Sequence, residues 1–138
     1  MKLLAFRFGV GCAFLAFAVA AGAAGPSEAG VDWANATEVT VVLTEYRFQP
    51  ASLVFHPGVA YRLHLENRGR ELHEFTAPEF LKSVSLRNPD VLARGGREAV
   101  LQPHEEKDIY FVARVPGHYG LFCADHDYYG MIGSIAVE

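Results

Sequence analysis

Between residues 123 and 131 the chain reads "CADHDYYGM", with a cysteine, a histidine three positions on and a methionine five further. A thiolate, an imidazole and a thioether are donors to soft or borderline metal ions. Each has an ordinary reading when taken alone. Cys123 after "GLF" suits a small buried hydrophobe, Met131 before "IGSIAV" suits core packing, and a loop histidine is most often solvated. Their combination in one short loop points to a metal. Cysteine usage sharpens the point. The only other cysteine, Cys12, lies in an apolar N-terminal segment that reads as a removable leader, so Cys123 has no intramolecular disulfide partner. A lone thiol outside the reducing cytoplasm is open to oxidation unless it is buried and inert or held by a metal.

Two histidines and one cysteine in a trigonal plane, with a weak axial methionine, form the donor set of blue-copper electron-transfer sites. That geometry needs a second histidine from elsewhere. His56, His64, His73, His104 and His118 are available. His73, in "NRGRELHEFTAP", follows directly on a strand that ends at Asn67, and a sandwich would set its loop beside the one carrying Cys123. The others read as surface histidines: His64 on the polar face of a strand, His56 and His104 in turns beside prolines, and His118 ahead of a strand.

The elements that must position these residues are strands. "EVTVVLTEYRF" is rich in β-branched and aromatic residues. In "YRLHLEN", Tyr61, Leu63 and Leu65 face one way and Arg62, His64 and Glu66 the other. "REAVLQP", "EKDIYFVARVPG", "GHYGLFC" and "MIGSIAVE" continue the theme, with Ile109 and Phe111 as core residues. The stretch 78–97 is less regular and reads as a short helix or an excursion. No helical period persists beyond the leader. The expected fold is all-β, a Greek-key sandwich or barrel of about seven to eight strands.

The 138 residues suffice for one domain. Lys2 and Arg7 ahead of "FGVGCAFLAFAVAAGAA", with small residues at Ala18–Ala23, read as a secretory signal over residues 1–24. The same run is just long enough for an uncleaved anchor. A polar linker follows at 25–36, then the domain at 37–138. Without Lys2 and Arg7, 10 basic residues face 16 acidic ones, a net of −6. That balance argues against nucleic acid, which needs a basic footprint.

With these motifs in view, the sequence resembles the cupredoxins, the small type 1 blue copper proteins, most of all the pseudoazurin, amicyanin and plastocyanin-like branch. "PGHYGLFC", "CADH" and "GMIGSIAV" match the family's closing motif, including its C-x2-H-x4-M spacing, and "FQPASLVFHPGVAYRLHLEN" resembles its entry strands. The resemblance spans roughly 38–138. It implies one copper ion cycling between Cu(I) and Cu(II), ligated by His73, Cys123, His126 and Met131. It also implies a monomeric periplasmic one-electron carrier that meets a cytochrome c or a periplasmic oxidoreductase, with His126 as its electron port. Tyr128 and Tyr129 beside that port read equally as docking patch and as loop packing. Two positions depart from the family pattern: Glu74 stands where Asn is common, and Asp125 where Pro is frequent. A carboxylate at either place lowers the reduction potential if it faces the metal, and does little if it faces solvent.

Rival readings use the same residues. A copper carrier, storage or delivery protein would share all four ligands but hold an open, exchanging site. A Cys–His enzyme would need a cleft and oxyanion donors, and leaves Met131 unexplained. Structural zinc is disfavoured by the methionine. A binuclear copper centre needs a second loop cysteine, and multicopper oxidases need paired histidines, while "HxH" does not occur in this chain. The expectation is a carrier and not an enzyme.

Overall fold

The computed structural model describes residues 30–138; the expected signal segment lies outside the described residues. Among the described residues, ten strands form two five-stranded sheets. In chain order they are β1 (Thr37–Thr44), β2 (Arg47–Gln49), β3 (Ser52–Phe55), β4 (Ala60–Asn67), β5 (His73–Thr76), β6 (Val84–Leu86), β7 (Glu98–Leu101), β8 (Glu106–Ala113), β9 (Gly117–Phe122) and β10 (Ile132–Val137). One sheet runs β2-β1-β4-β8-β6 and the other β3-β10-β9-β5-β7. The all-β sandwich is the one expected. The strand count rises to ten because β2 and β6 are only three residues long, too short for an alternating pattern to declare itself, and because β5, where a loop was expected, is four residues buried on both faces and so shows none.

Burial follows sequence alternation. In β4, Tyr61, Leu63, Leu65 and Asn67 are buried while the residues between them are half-exposed. Parallel pairing sets Val41 of β1 beside Leu65, and antiparallel pairing sets Ile109 of β8 beside Leu63. The outward residues make polar contacts of their own: Arg62 bridges Glu38 and Asp108, and Asp108 holds Nδ1 of His64 at 2.7 Å. Between the sheets lies an aromatic core. Phe55, Phe80 and Phe111 are fully buried, with ring centroids 5.0 to 5.5 Å apart. Each such ring contributes roughly 1.5–3 kcal/mol by leaving water. Phe80 comes from α1 (Pro78–Ser83), which starts on a proline and buries Phe80 and Leu81. The irregular stretch thus delivers one apolar face to the core.

The described part of the expected linker makes a short 3-10 turn, Trp33–Asn35, capped by the Asp32 carboxylate. Trp33 stands edge-on to Tyr110 at 6.3 Å, with the Arg87 guanidinium 5.5 Å from its ring. The opposite end matters for function. There β4 ends at Asn67, β5 begins at His73, β9 ends at Phe122 and β10 begins at Ile132.

Candidate metal centre

The loop from β4 to β5 is held by side chains on both flanks. Asn67 is buried, and its amide donates to the carbonyls of Glu71 at 2.8 Å and Leu101 at 3.0 Å, while its oxygen accepts from Gly69 N–H at 2.9 Å. From the β1–β2 turn, the Glu45 carboxylate accepts the N–H groups of Arg70 and Glu71. A Cβ at Gly69 would meet Glu45 Oε1 at 2.6 Å and His73 Nε2 at 2.9 Å, so any side chain there must displace the Glu45 carboxylate or the His73 ring. The loop is thereby fixed and presents His73 at the start of β5.

The second loop closes on itself. Cys123 N–H donates to the Met131 carbonyl at 3.0 Å, extending the β9–β10 ladder by one step. His126 N–H donates to the Cys123 carbonyl at 3.1 Å, and Met131 N–H to the His126 carbonyl at 3.2 Å. Gly130, at φ +88, takes the left-handed turn that ends the 3-10 segment Asp127–Tyr129. The two loops meet because Thr76 of β5 pairs with Phe122 of β9.

One histidine nitrogen from each loop and the Cys123 sulfur lie within 4.8 Å of one another. His73 Nδ1 is 3.2 Å from His126 Nδ1, and Cys123 Sγ is 3.3 Å from His126 Nδ1 and 4.0 Å from His73 Nδ1. His73, Cys123 and Met131 are fully buried; the His126 side chain is 12 % exposed. The structure therefore brings together three of the four expected site residues by their donor atoms and buries the fourth, Met131, at the base of the same loop. His64 and His56 lie elsewhere, paired with Asp108 and with the Glu138 carbonyl.

Glu74 and Asp125, the two departures from the family pattern, separate clearly. Asp125 is exposed. Glu74 is buried, and its Oε2 lies 2.9 Å from the Cys123 thiol and 3.3 Å from the Asp125 N–H. Its own N–H points at Cys123 Sγ at 3.4 Å. Glu74 thus joins the two loops from both its backbone and its side chain.

The electrostatics fit a cation. Burial, aided by the Glu74 carboxylate, pushes the Cys123 thiol up to about 12. Burial, and then the neighbouring His126, holds His73 below its ordinary value, so its ring stays neutral further into acid. A bare thiolate against a carboxylate, with two imidazole lone pairs converging beside it, would be repulsive. A cation among these donors relieves that repulsion and makes the thiolate the stable form. Soft sulfur with imidazole nitrogen selects copper over hard, oxygen-seeking ions.

Three residues at the site carried no motif. Glu71 Oε2 lies 2.9 Å from His126 Nε2. Glu45 Oε1 lies 3.8 Å from His73 Nε2, which is buried without a hydrogen-bond partner. The Tyr46 ring packs 4.9 Å from the His126 ring and 4.6 Å from that of Tyr129. The only sequence signal for Glu71 is its place two residues before His73; Glu45 and Tyr46, in a turn remote in sequence, gave none.

The model of the cupredoxin-like domain family matches residues 11–137. No curated relative matches the sequence. Among solved structures, auracyanin B superposes with a TM-score of 0.56 at 19 % identity, covering 75 % of this chain and 89 % of that one. Dithionite-reduced auracyanin from the photosynthetic bacterium Roseiflexus castenholzii does so with a TM-score of 0.56 at 16 % identity, covering 75 % and 98 %. At such identities the likeness is one of fold.

Proposed function

The chain belongs to the cupredoxin-like family, and from that premise we propose that it is a mononuclear type 1 copper protein serving as a one-electron carrier. His73, Cys123, His126 and Met131 are its proposed ligands. The observation that carries the reading is the convergence of two imidazole nitrogens and one thiol, from loops fifty residues apart, into a buried cluster of 4.8 Å. When bound, copper supplies a couple that gains or loses one electron.

The residues do the rest. The two loops are braced by Asn67, Glu45, Glu74 and the carbonyls of Cys123 and Met131. Such donors need not rearrange when the charge of the site changes, which keeps reorganisation small. Burial of His73, Cys123 and Met131 keeps water from these three side chains. His126, the least buried of the proposed ligands, is the proposed exit for the electron. Tyr129, 6.4 Å from its ring, and Tyr128, packed beside Tyr129, are 57 % and 74 % exposed and offer apolar surface suited to brief docking. Exposed Asp125 and Asp127 favour a partner with a basic face, such as a cytochrome c. We place the protein in the periplasm, delivered by its N-terminal segment. The burial weighs against a copper-delivery role, which needs an open site, and in favour of tight retention.

The test is optical. Purified protein titrated with Cu(II) should develop a strong thiolate-to-copper charge-transfer band with a matching paramagnetic-resonance spectrum, and Cys123→Ser should lack both. Identical spectra for the two proteins would remove Cys123 from the site and the proposal with it.

A further inference from the structure

The outward nitrogen of His126 is not left to solvent. Glu71 Oε2 holds it at 2.9 Å, and the other carboxylate oxygen of Glu71 accepts from the Tyr46 hydroxyl at 3.3 Å. Tyr46 in turn packs against the His126 ring at 4.9 Å. The carboxylate is itself anchored by its backbone: Glu71 N–H donates to Glu45 at 3.1 Å, and its carbonyl accepts from Asn67 at 2.8 Å. Glu71 therefore reaches from the loop that carries His73 to grip the histidine of the other loop. His73 has no equivalent grip, since its Nε2 stands 3.8 Å from Glu45 without a hydrogen bond.

We propose that Glu71 is a positioning residue of the metal centre, clamping His126 through Nε2 and setting a negative charge that favours the more highly charged state of the bound ion. The inference rests on the copper reading above. A carboxylate only accepts, so Glu71 at 2.9 Å fixes the His126 ring proton on Nε2, leaves Nδ1, 3.3 Å from the thiol, free to ligate, and makes the ring a stronger donor. A stronger donor and a nearby negative charge stabilise Cu(II) more than Cu(I).

Three variants of the full chain test this: Glu71→Gln, which keeps an acceptor but removes the charge; Glu71→Ala, which removes both; and Asp127→Asn, which removes an exposed charge from the neighbouring loop. Cu(II) and Cu(I) dissociation constants are measured by competition with chromophoric chelators. Ring ¹⁵N–¹H spectra of His126 are recorded on the metal-free protein. Glu71→Gln should weaken Cu(II) about tenfold while leaving Cu(I) nearly unchanged. That corresponds to a rise in potential of about 59 mV per factor of ten. Asp127→Asn should shift the ratio far less. The Nε2–H signal should persist in wild type and Glu71→Gln and exchange away in Glu71→Ala. A wild-type Cu(II)/Cu(I) ratio in both Glu71 variants, or an equal shift in Asp127→Asn, overturns the proposal, as does an Nε2–H signal unchanged in Glu71→Ala. Failure of the wild type to take up copper would sink the functional reading instead, and the ring spectra would still decide the clamp.

Discussion

Replacing Cys123 by alanine in the metal-free protein should make its stability less sensitive to alkali. In the fold the thiol is raised from its ordinary 9.0 to about 12 by burial and by Glu74. A thiol carries no charge when protonated, so the fold favours its proton. This contribution is intact below pH 9, where the unfolded thiol is also protonated, and it is lost as pH climbs from 9 toward 12. The slope is about 1.4 kcal/mol per pH unit, so the whole window is worth about 4 kcal/mol. At pH 10 the wild type should have lost on the order of 1 kcal/mol more than Cys123→Ala, relative to each protein at pH 8. With a typical urea dependence of 1–3 kcal/mol per molar, the midpoints should part by roughly 0.3–1 M. The assay is urea unfolding of reduced, chelator-treated protein at pH 8, 9 and 10. Lysine and tyrosine titrations are common to both proteins and cancel in the comparison. Copper-loaded wild type should show no such fall, because the metal has already displaced the proton. Midpoints that run parallel with pH in the two metal-free proteins would refute the argument, since the thiol would then not be held protonated by its surroundings.

The remaining predictions concern the proposed ligands and the loop beneath them. Met131→Leu should keep the charge-transfer band and raise the reduction potential, because a weak axial donor to Cu(II) is lost; a lowered potential by voltammetry would deny Met131 that role. Gly69→Ala should drive a methyl group against Glu45 and His73 and weaken Cu(II) binding by about 10–100-fold, with a stability loss of about 1–3 kcal/mol. Copper affinity unchanged in that variant would show that the loop does not need its close approach.

Much of the fold was legible because strand alternation is a local property. The period of two in Tyr61–Asn67 alone sorts inward from outward residues, and no tertiary information is needed to place Leu63 in the core. The short pieces β2 and β6 escaped because three residues cannot display a period; only pairing with β1 and β8 makes them strands. Phe80 lies in a stretch whose sequence reads as irregular, and it becomes a core residue only once α1 packs beneath the sheets.

The site divides along the same line. Cys123, His126 and Met131 lie within one loop, so their donor chemistry could be read from spacing alone. His73 was reachable because a strand end and a family pattern pointed at it. The chain by itself thus determined which atoms could ligate. Which atoms would surround them was decided in three dimensions. Glu45 is in contact with residues 25 positions on, Glu71 with His126 55 positions on, and Glu74 with Cys123 49 positions on. No local pattern encodes such contacts, because they form only when β1–β4 pairing sets the β1–β2 turn beside the β4–β5 loop and β5–β9 pairing brings the two site loops together. The electrostatic setting of the centre is therefore a property of the fold, because it depends on which carboxylates the closed sandwich sets against each donor.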